Sequence, residues 1–100
     1  MKKIVLLCAA GMSTSMLVTK MREEAVKIDY DCDINAYPMS EAATVGKNAD
    51  IILLGPQVRF NLNKVKGLCP NTIVEAIDMR TYGRMDGKAV VDFAKSKIGD

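Results

Sequence analysis

The chain has 100 residues, with 14 Lys and Arg against 12 Asp and Glu, a formal net charge of +2, 49% hydrophobic and 26% charged residues. That is enough for a single domain, residues 1–100, with its own core, and the balance excludes disorder, a coiled coil and a collagen-like chain. Scattered basic residues give no phosphate-backbone footprint, and the N-terminal apolar run falls short of the ~20 residues of a membrane span, so the expectation is a cytoplasmic chain that binds no nucleic acid.

Residues 3–8, "KIVLLC", form a nearly unbroken run of Ile, Val and Leu, which suits a strand buried on both faces of a parallel sheet. The turn "CAAGMSTS" follows at residues 8–15. From Thr14, Leu17, Met21, Ala25 and Ile28 recur at helical spacing, with Lys20, Arg22, Glu23, Glu24 and Lys27 left for solvent. A second strand is expected at 33–37, "DINAY", then a short helix capped by Ser40 and ended by "GKN". The third strand, 49–54, reads "ADIILL" and runs into "GPQVR". Val58, Leu62 and Val65 mark a third helix reaching Gly67, and 73–77, "IVEAI", a fourth strand. After the turn "DMRTYGRMDG", a last helix starts near Asp86, buries Val90, Phe93, Ala94 and Ile98, and closes on Lys95, Lys97 and Gly99.

Strands alternating with helices imply right-handed crossovers and an α/β fold: a small doubly wound four-stranded parallel sheet, order 2-1-3-4, with helices on both faces. Ligands bind such sheets outside the carboxyl ends of the strands, where the winding reverses. Here that point lies between strands 1 and 3, which brings "CAAGMSTS" beside "GPQVR", with "DMRTYGRMDG" flanking them.

Three cysteines stand at 8, 32 and 69 without a C-x-x-C spacing, which fits reduced thiols. Histidine is absent, so Cys-His and Ser-His-Asp nucleophile systems and His-containing metal sites are excluded from this chain. Cys8 admits two readings: a small core residue closing strand 1, or a nucleophile whose thiolate is favoured by the N–H groups and dipole of the following helix. Those N–H groups also make an anion-binding nest, for which Gly11 supplies backbone freedom and Ser13, Thr14 and Ser15 offer hydroxyls that could equally cap the helix. No Walker A pattern is present. A C-x5-R phosphatase loop places arginine where this chain has Thr14, so a loop of this kind should hold a phosphoryl group rather than discharge it to water.

The blocks "LLCAAGMSTSMLVTKMR", "AYP", "NADIILLGPQVRF" and "EAIDMRTYGRMDG" together resemble the enzyme IIB components of the bacterial phosphoenolpyruvate-dependent sugar phosphotransferase system, of the lactose, cellobiose and diacetylchitobiose type. The resemblance implies a phosphatase-like cysteine loop after strand 1, with Cys8 as the phosphorylated residue. It takes the group from a phosphohistidine on a separate enzyme IIA and passes it to a cellobiose-, chitobiose- or lactose-like sugar held by membrane enzyme IIC. Ala9, Ala10, Gly11, Met12, Ser13, Thr14 and Ser15 would bind the phosphoryl oxygens. Gly55, Pro56 and Gln57 after strand 3, and Asp78, Tyr82 and Gly83 after strand 4, would wall the site. No metal or cofactor is called for, the expected state is a monomer, and Cys32 and Cys69 are read as structural. Two other classes compete: a small cysteine-dependent phosphatase or arsenate-reductase-like enzyme, against which the missing loop arginine counts, and a non-catalytic regulatory module of the kind carried by much longer transcription activators.

Overall fold

A four-stranded, wholly parallel sheet in the order β2-β1-β3-β4 forms the centre of the computed structural model, which describes residues 1–9 and 11–100, the side chains at 11–13 apart. The strands are β1 (Lys2–Cys8), β2 (Cys32–Pro38), β3 (Ile51–Leu54) and β4 (Ile73–Ala76). The helices are α1 (Gly11–Lys27), α2 (Ala42–Val45), α3 (Leu62–Leu68), α4 (Met79–Gly83) and α5 (Gly87–Ile98). The expected strand order holds.

β1 is buried from Ile4 to Cys8 and β3 throughout, because both are inner strands covered on both faces. The strand period of two divides their side chains between two cores. Ile4, Leu6, Ile51 and Leu53 pack with Leu17, Val18 and Met21 of α1 and Val90, Val91 and Ala94 of α5. Val5, Leu7, Ile52 and Leu54 pack with Ala42 of α2, Val58, Val65 of α3, and Cys69. The α1–α5 contact is close: a Cβ on Gly87 would lie 2.5 Å from the Lys20 carbonyl carbon.

Several boundaries differ from the sequence expectation. α1 begins at Gly11 rather than Thr14, and its buried stripe is Leu17, Val18, Met21 and Ala25. Ile28 lies beyond the helix and is 41% exposed, since the chain turns there through Asp29 at φ 55° and Tyr30 N–H bonds the Ala25 carbonyl. β3 starts at Ile51, two residues late. Ala49 N–H closes a turn on Gly46, and the Asp50 carboxylate accepts the Lys3 N–H at 2.7 Å.

Ser40 caps nothing: it sits inside a 3-10 turn, Met39–Glu41, that opens after Pro38 without a side-chain cap. Val58 belongs to a second 3-10 segment, Pro56–Asn61, that precedes α3, and Leu62 is half-buried. The segment "DMRTYGRMDG", expected as a turn, contains α4; Asp78 starts it by accepting the Arg80 and Thr81 N–H groups. α5 matches expectation at both ends: Asp86 accepts the Ala89 N–H at 3.0 Å, and Gly99 closes the helix at φ 97°. Val91 takes the core place expected for Phe93 and Ile98, which are half-buried.

Candidate functional site

β1 carries Cys8 to the C-terminal end of the sheet, paired in register with Pro38 of β2, while Leu7 pairs with Leu54 of β3. From there the chain leaves β1 for α1 on one face and β3 for α3 on the other. This is the reversal of winding at which doubly wound sheets bind ligands.

Cys8 is 2% exposed, and its Sγ donates a long contact of 3.9 Å to the Tyr37 carbonyl oxygen. Its burial fits a small residue closing the core, and its position is the end of β1 at the switch point. Of the residues expected to bind a phosphoryl group, Ala9 is exposed. Ala10 lies outside the described residues, as do the side chains of Gly11, Met12 and Ser13. Ser15 is exposed on the first turns of α1. Thr14 is fully buried, and its Oγ1 lies 2.8 Å from the hydroxyl of Tyr82.

Gly55 extends β3 by donating its N–H to the Leu7 carbonyl at 3.0 Å. A Cβ there would lie 3.6 Å from Leu7 O, 3.6 Å from Tyr82 Cε2 and 2.9 Å from Gln57 Oε1, so the glycine fits between the end of β1, the Tyr82 ring and the Gln57 amide. Pro56 opens the 3-10 segment behind it. Tyr82 is buried, whereas Gly83 is exposed with open space where a Cβ would point. The Asp78 carboxylate serves as the cap of α4. The fold thus gathers Cys8, Gly55, Thr14 and Tyr82 at one end of the sheet. A groove of about 490 Å³ lies alongside, lined in part by Pro56, Arg59, Asp78, Met79 and Phe93.

Two links escape a reading of the sequence. One is the Thr14–Tyr82 bond, between residues 68 positions apart. The other is Arg22, expected in solvent, whose guanidinium donates to the Ile34 carbonyl at 3.1 and 2.7 Å and to Asn35 Oδ1 at 3.0 Å. It clips α1 to β2, and Asn35 is itself held by a bond to Asp33. No periodicity marks either link, because each depends on which elements the fold makes neighbours.

The displaced ionisations lie away from Cys8. Cys32 begins β2 at the opposite end of the sheet; burial pushes its thiol up, and the charges of Asp31 and Asp33 add to this. Burial likewise pushes the Tyr30 phenol up, aided by its 2.7 Å bond to the Asp100 carboxylate. Cys69 is buried and donates to the Ala42 carbonyl at 3.7 Å. Among the described residues no group of three or more His, Cys, Asp or Glu side chains could hold a metal ion, and no helix is long and apolar enough to cross a membrane.

Residues 3–93 match the family model described as "PTS system, Lactose/Cellobiose specific IIB subunit". The chain is 43% identical over 98 residues to the PTS system oligo-beta-mannoside-specific EIIB component of Bacillus subtilis (strain 168), covering 96% of this chain and 95% of that protein. It is 38% identical over 102 aligned residues to the PTS system galactose-specific EIIB component of Lactococcus lactis subsp. cremoris (strain MG1363), covering 95% and 94%. The solution structure of the cellobiose-specific phosphotransferase IIB component protein from Borrelia burgdorferi superposes with a TM-score of 0.82 at 32% identity, covering 98% of this chain and 92% of that one.

Proposed function

The chain belongs to the lactose/cellobiose-specific IIB family of the phosphotransferase system, and from that premise we propose that it carries a phosphoryl group on Cys8 between two partners. The observation that supports this most is the place of Cys8, the one cysteine at the carboxyl end of β1 and at the start of the segment leading into α1. Cys32 stands at the other end of the sheet, and Cys69 sits in the α2–α3 core.

The first transfer is an in-line displacement: the Cys8 sulfur forms an S–P bond as the P–N bond to a phosphohistidine of enzyme IIA breaks, and the thiol proton goes to the imidazole nitrogen left on that partner. In the second, a hydroxyl of a sugar held by membrane enzyme IIC attacks phosphorus, an O–P bond forms as the S–P bond breaks, and the hydroxyl proton goes to the departing sulfur, which returns as the Cys8 thiol. The chain then works in the cytoplasm and meets the membrane only through IIC. In this reading the N–H groups at the start of α1 hold the anion, and α1 has no acidic residue in its first turn to oppose it. The absent histidine is supplied by the donor. The relatives' names diverge between oligo-beta-mannoside and galactose, so the sugar is proposed only at the level of the lactose/cellobiose type.

Incubation with phosphoenolpyruvate, the general phosphotransfer proteins and a cognate IIA, followed by intact-mass measurement, tests this. The parent chain, Cys32→Ser and Cys69→Ser should each gain one phosphoryl group, and Cys8→Ser none. A phosphoryl adduct on Cys8→Ser would sink the assignment.

A further inference from the structure

We propose that Thr14 and Tyr82 form a latch that positions the first turn of α1 against the end of the sheet, making Tyr82 a positioning residue for transfer at Cys8. The inference rests on the carrier reading of Cys8 and deepens it. The Thr14 hydroxyl, read from the sequence as a phosphoryl donor or a helix cap, is fully buried and lies 2.8 Å from the Tyr82 oxygen.

Valine and phenylalanine have nearly the shapes of threonine and tyrosine, and would fill the same space with no polar group to satisfy. A buried hydroxyl pair is retained at a cost in desolvation, and what it supplies in return is direction, since a hydrogen bond holds its two groups to a narrow range of distance and angle. That geometry joins the turns after β1, β3 and β4. Asp78 caps α4 through the Arg80 and Thr81 N–H groups at 3.0 and 3.2 Å, which sets the helix that carries Tyr82. The Tyr82 ring edge approaches Gly55, its Cε2 3.6 Å from where a Cβ would stand, and the Gly55 N–H is bonded to the carbonyl of Leu7, the residue before Cys8. The Tyr82 hydroxyl then reaches Thr14, six positions after Cys8. The chain of contacts therefore leaves the cysteine by the sheet and returns to it by the helix. A displacement of a reacting group by a fraction of an ångström is enough to slow an in-line transfer.

The test uses Tyr82→Phe, Thr14→Val, the double variant and Thr14→Ser, with the parent and Cys8→Ser as references. Phosphoryl acceptance is timed by intact mass against the concentration of phosphorylated IIA. Tyr82→Phe and Thr14→Val should each lower the maximal rate about tenfold, with the half-saturating donor concentration unchanged. The double variant should be no slower than the slower single one, because both remove the same bond. Thr14→Ser, which keeps the hydroxyl, should restore the rate. Independently of transfer, amide hydrogen exchange in Tyr82→Phe should quicken in the first turns of α1 and not in β1, β3 or α5.

Parental rates in both single variants, multiplying effects in the double variant, or a Thr14→Ser as slow as Thr14→Val would each overturn the latch. Should the parent take up no phosphoryl group, the carrier reading falls. The latch is then judged on exchange alone, and unchanged protection in the first turns of α1 refutes it.

Discussion

Replacing Gly87 with alanine should destabilise the protein, although alanine is the better helix former. A Cβ at this position lands 2.5 Å from the carbonyl carbon of Lys20, 2.7 Å from its oxygen and 2.7 Å from the nitrogen of Met21. All three are backbone atoms of α1 and cannot swing aside. Restoring an ordinary contact of 3.4 Å requires the start of α5 to retreat by about 0.9 Å, and a gap of that size forfeits about a quarter to a half of each dispersion contact across it. The interface that opens holds Leu17, Met21, Val90, Val91 and Ala94.

Overpacking costs ~1–3 kcal/mol, and with backbone on the opposing side the upper end applies. The gain in helix propensity recovers at most ~1 kcal/mol, leaving a net loss of ~2 kcal/mol. In a domain of this size that lowers Tm by roughly 8–16 °C. Gly67→Ala in α3 and Gly83→Ala in α4 are the controls, since neither Cβ meets anything within 4 Å; each should be neutral or gain up to ~1 kcal/mol. Urea unfolding followed by far-ultraviolet circular dichroism measures all three. If Gly87→Ala proves as stable as the two controls, the backbone approach of α5 to α1 is not what the geometry says.

Gly46→Ala should also destabilise, by ~1–3 kcal/mol, because its Cβ meets Cys69 Sγ at 2.5 Å and Ile52 Cδ1 at 2.8 Å. Adding Cys69→Ala removes the nearer atom, and a double variant no more stable than Gly46→Ala alone contradicts that cause. Asp78→Ala removes the α4 cap at ~1 kcal/mol of stability, and through Tyr82 it should also slow phosphoryl acceptance; a stability loss with full transfer activity separates the two roles. The thiol of Cys32 holds its proton more tightly in the fold than in the unfolded chain, where its value is 9.0, with burial as the first cause. Its contribution is therefore fully present below that value and is lost as pH rises through the raised folded one. Urea midpoints between about pH 8 and pH 11 should fall less steeply in Cys32→Ser than in the parent, and an equal slope refutes the assignment. Tyr30, raised from 10.0 by burial and by Asp100, acts in the same direction at the alkaline end, so Tyr30→Phe should flatten the upper part of the curve.

Patterns that repeat along the chain were legible without the structure. The continuous apolar runs of β1 and β3 identify inner strands because only a strand covered on both faces can bury every residue. The spacing of Leu17, Met21 and Ala25 identifies α1 for a similar reason, since a helix on a sheet buries one stripe. With the alternation of elements, these yield the strand order and so the place of Cys8 at the switch point. The cysteine's neighbours along the chain, Ala9 to Ser15, were legible as candidates because a turn between strand and helix must lie at the sheet's end.

Tertiary structure decided what depends on approach between distant segments. α4 is five residues long, too short to display a period, and its start is marked only by Asp78 bonding the N–H groups of Arg80 and Thr81. Nothing near Thr14 in the chain announces Tyr82, and nothing near Arg22 announces the Ile34 carbonyl. Thr14 reads as a phosphoryl donor or a helix cap until α4 is laid over it, because a hydroxyl is equally suited to an anion, a helix cap or another hydroxyl. Gly87 likewise reads as an ordinary residue at a helix start. Its lack of a side chain acquires meaning only when α5 comes to rest on the backbone of α1, a distance set by packing on a shared sheet and written in neither helix.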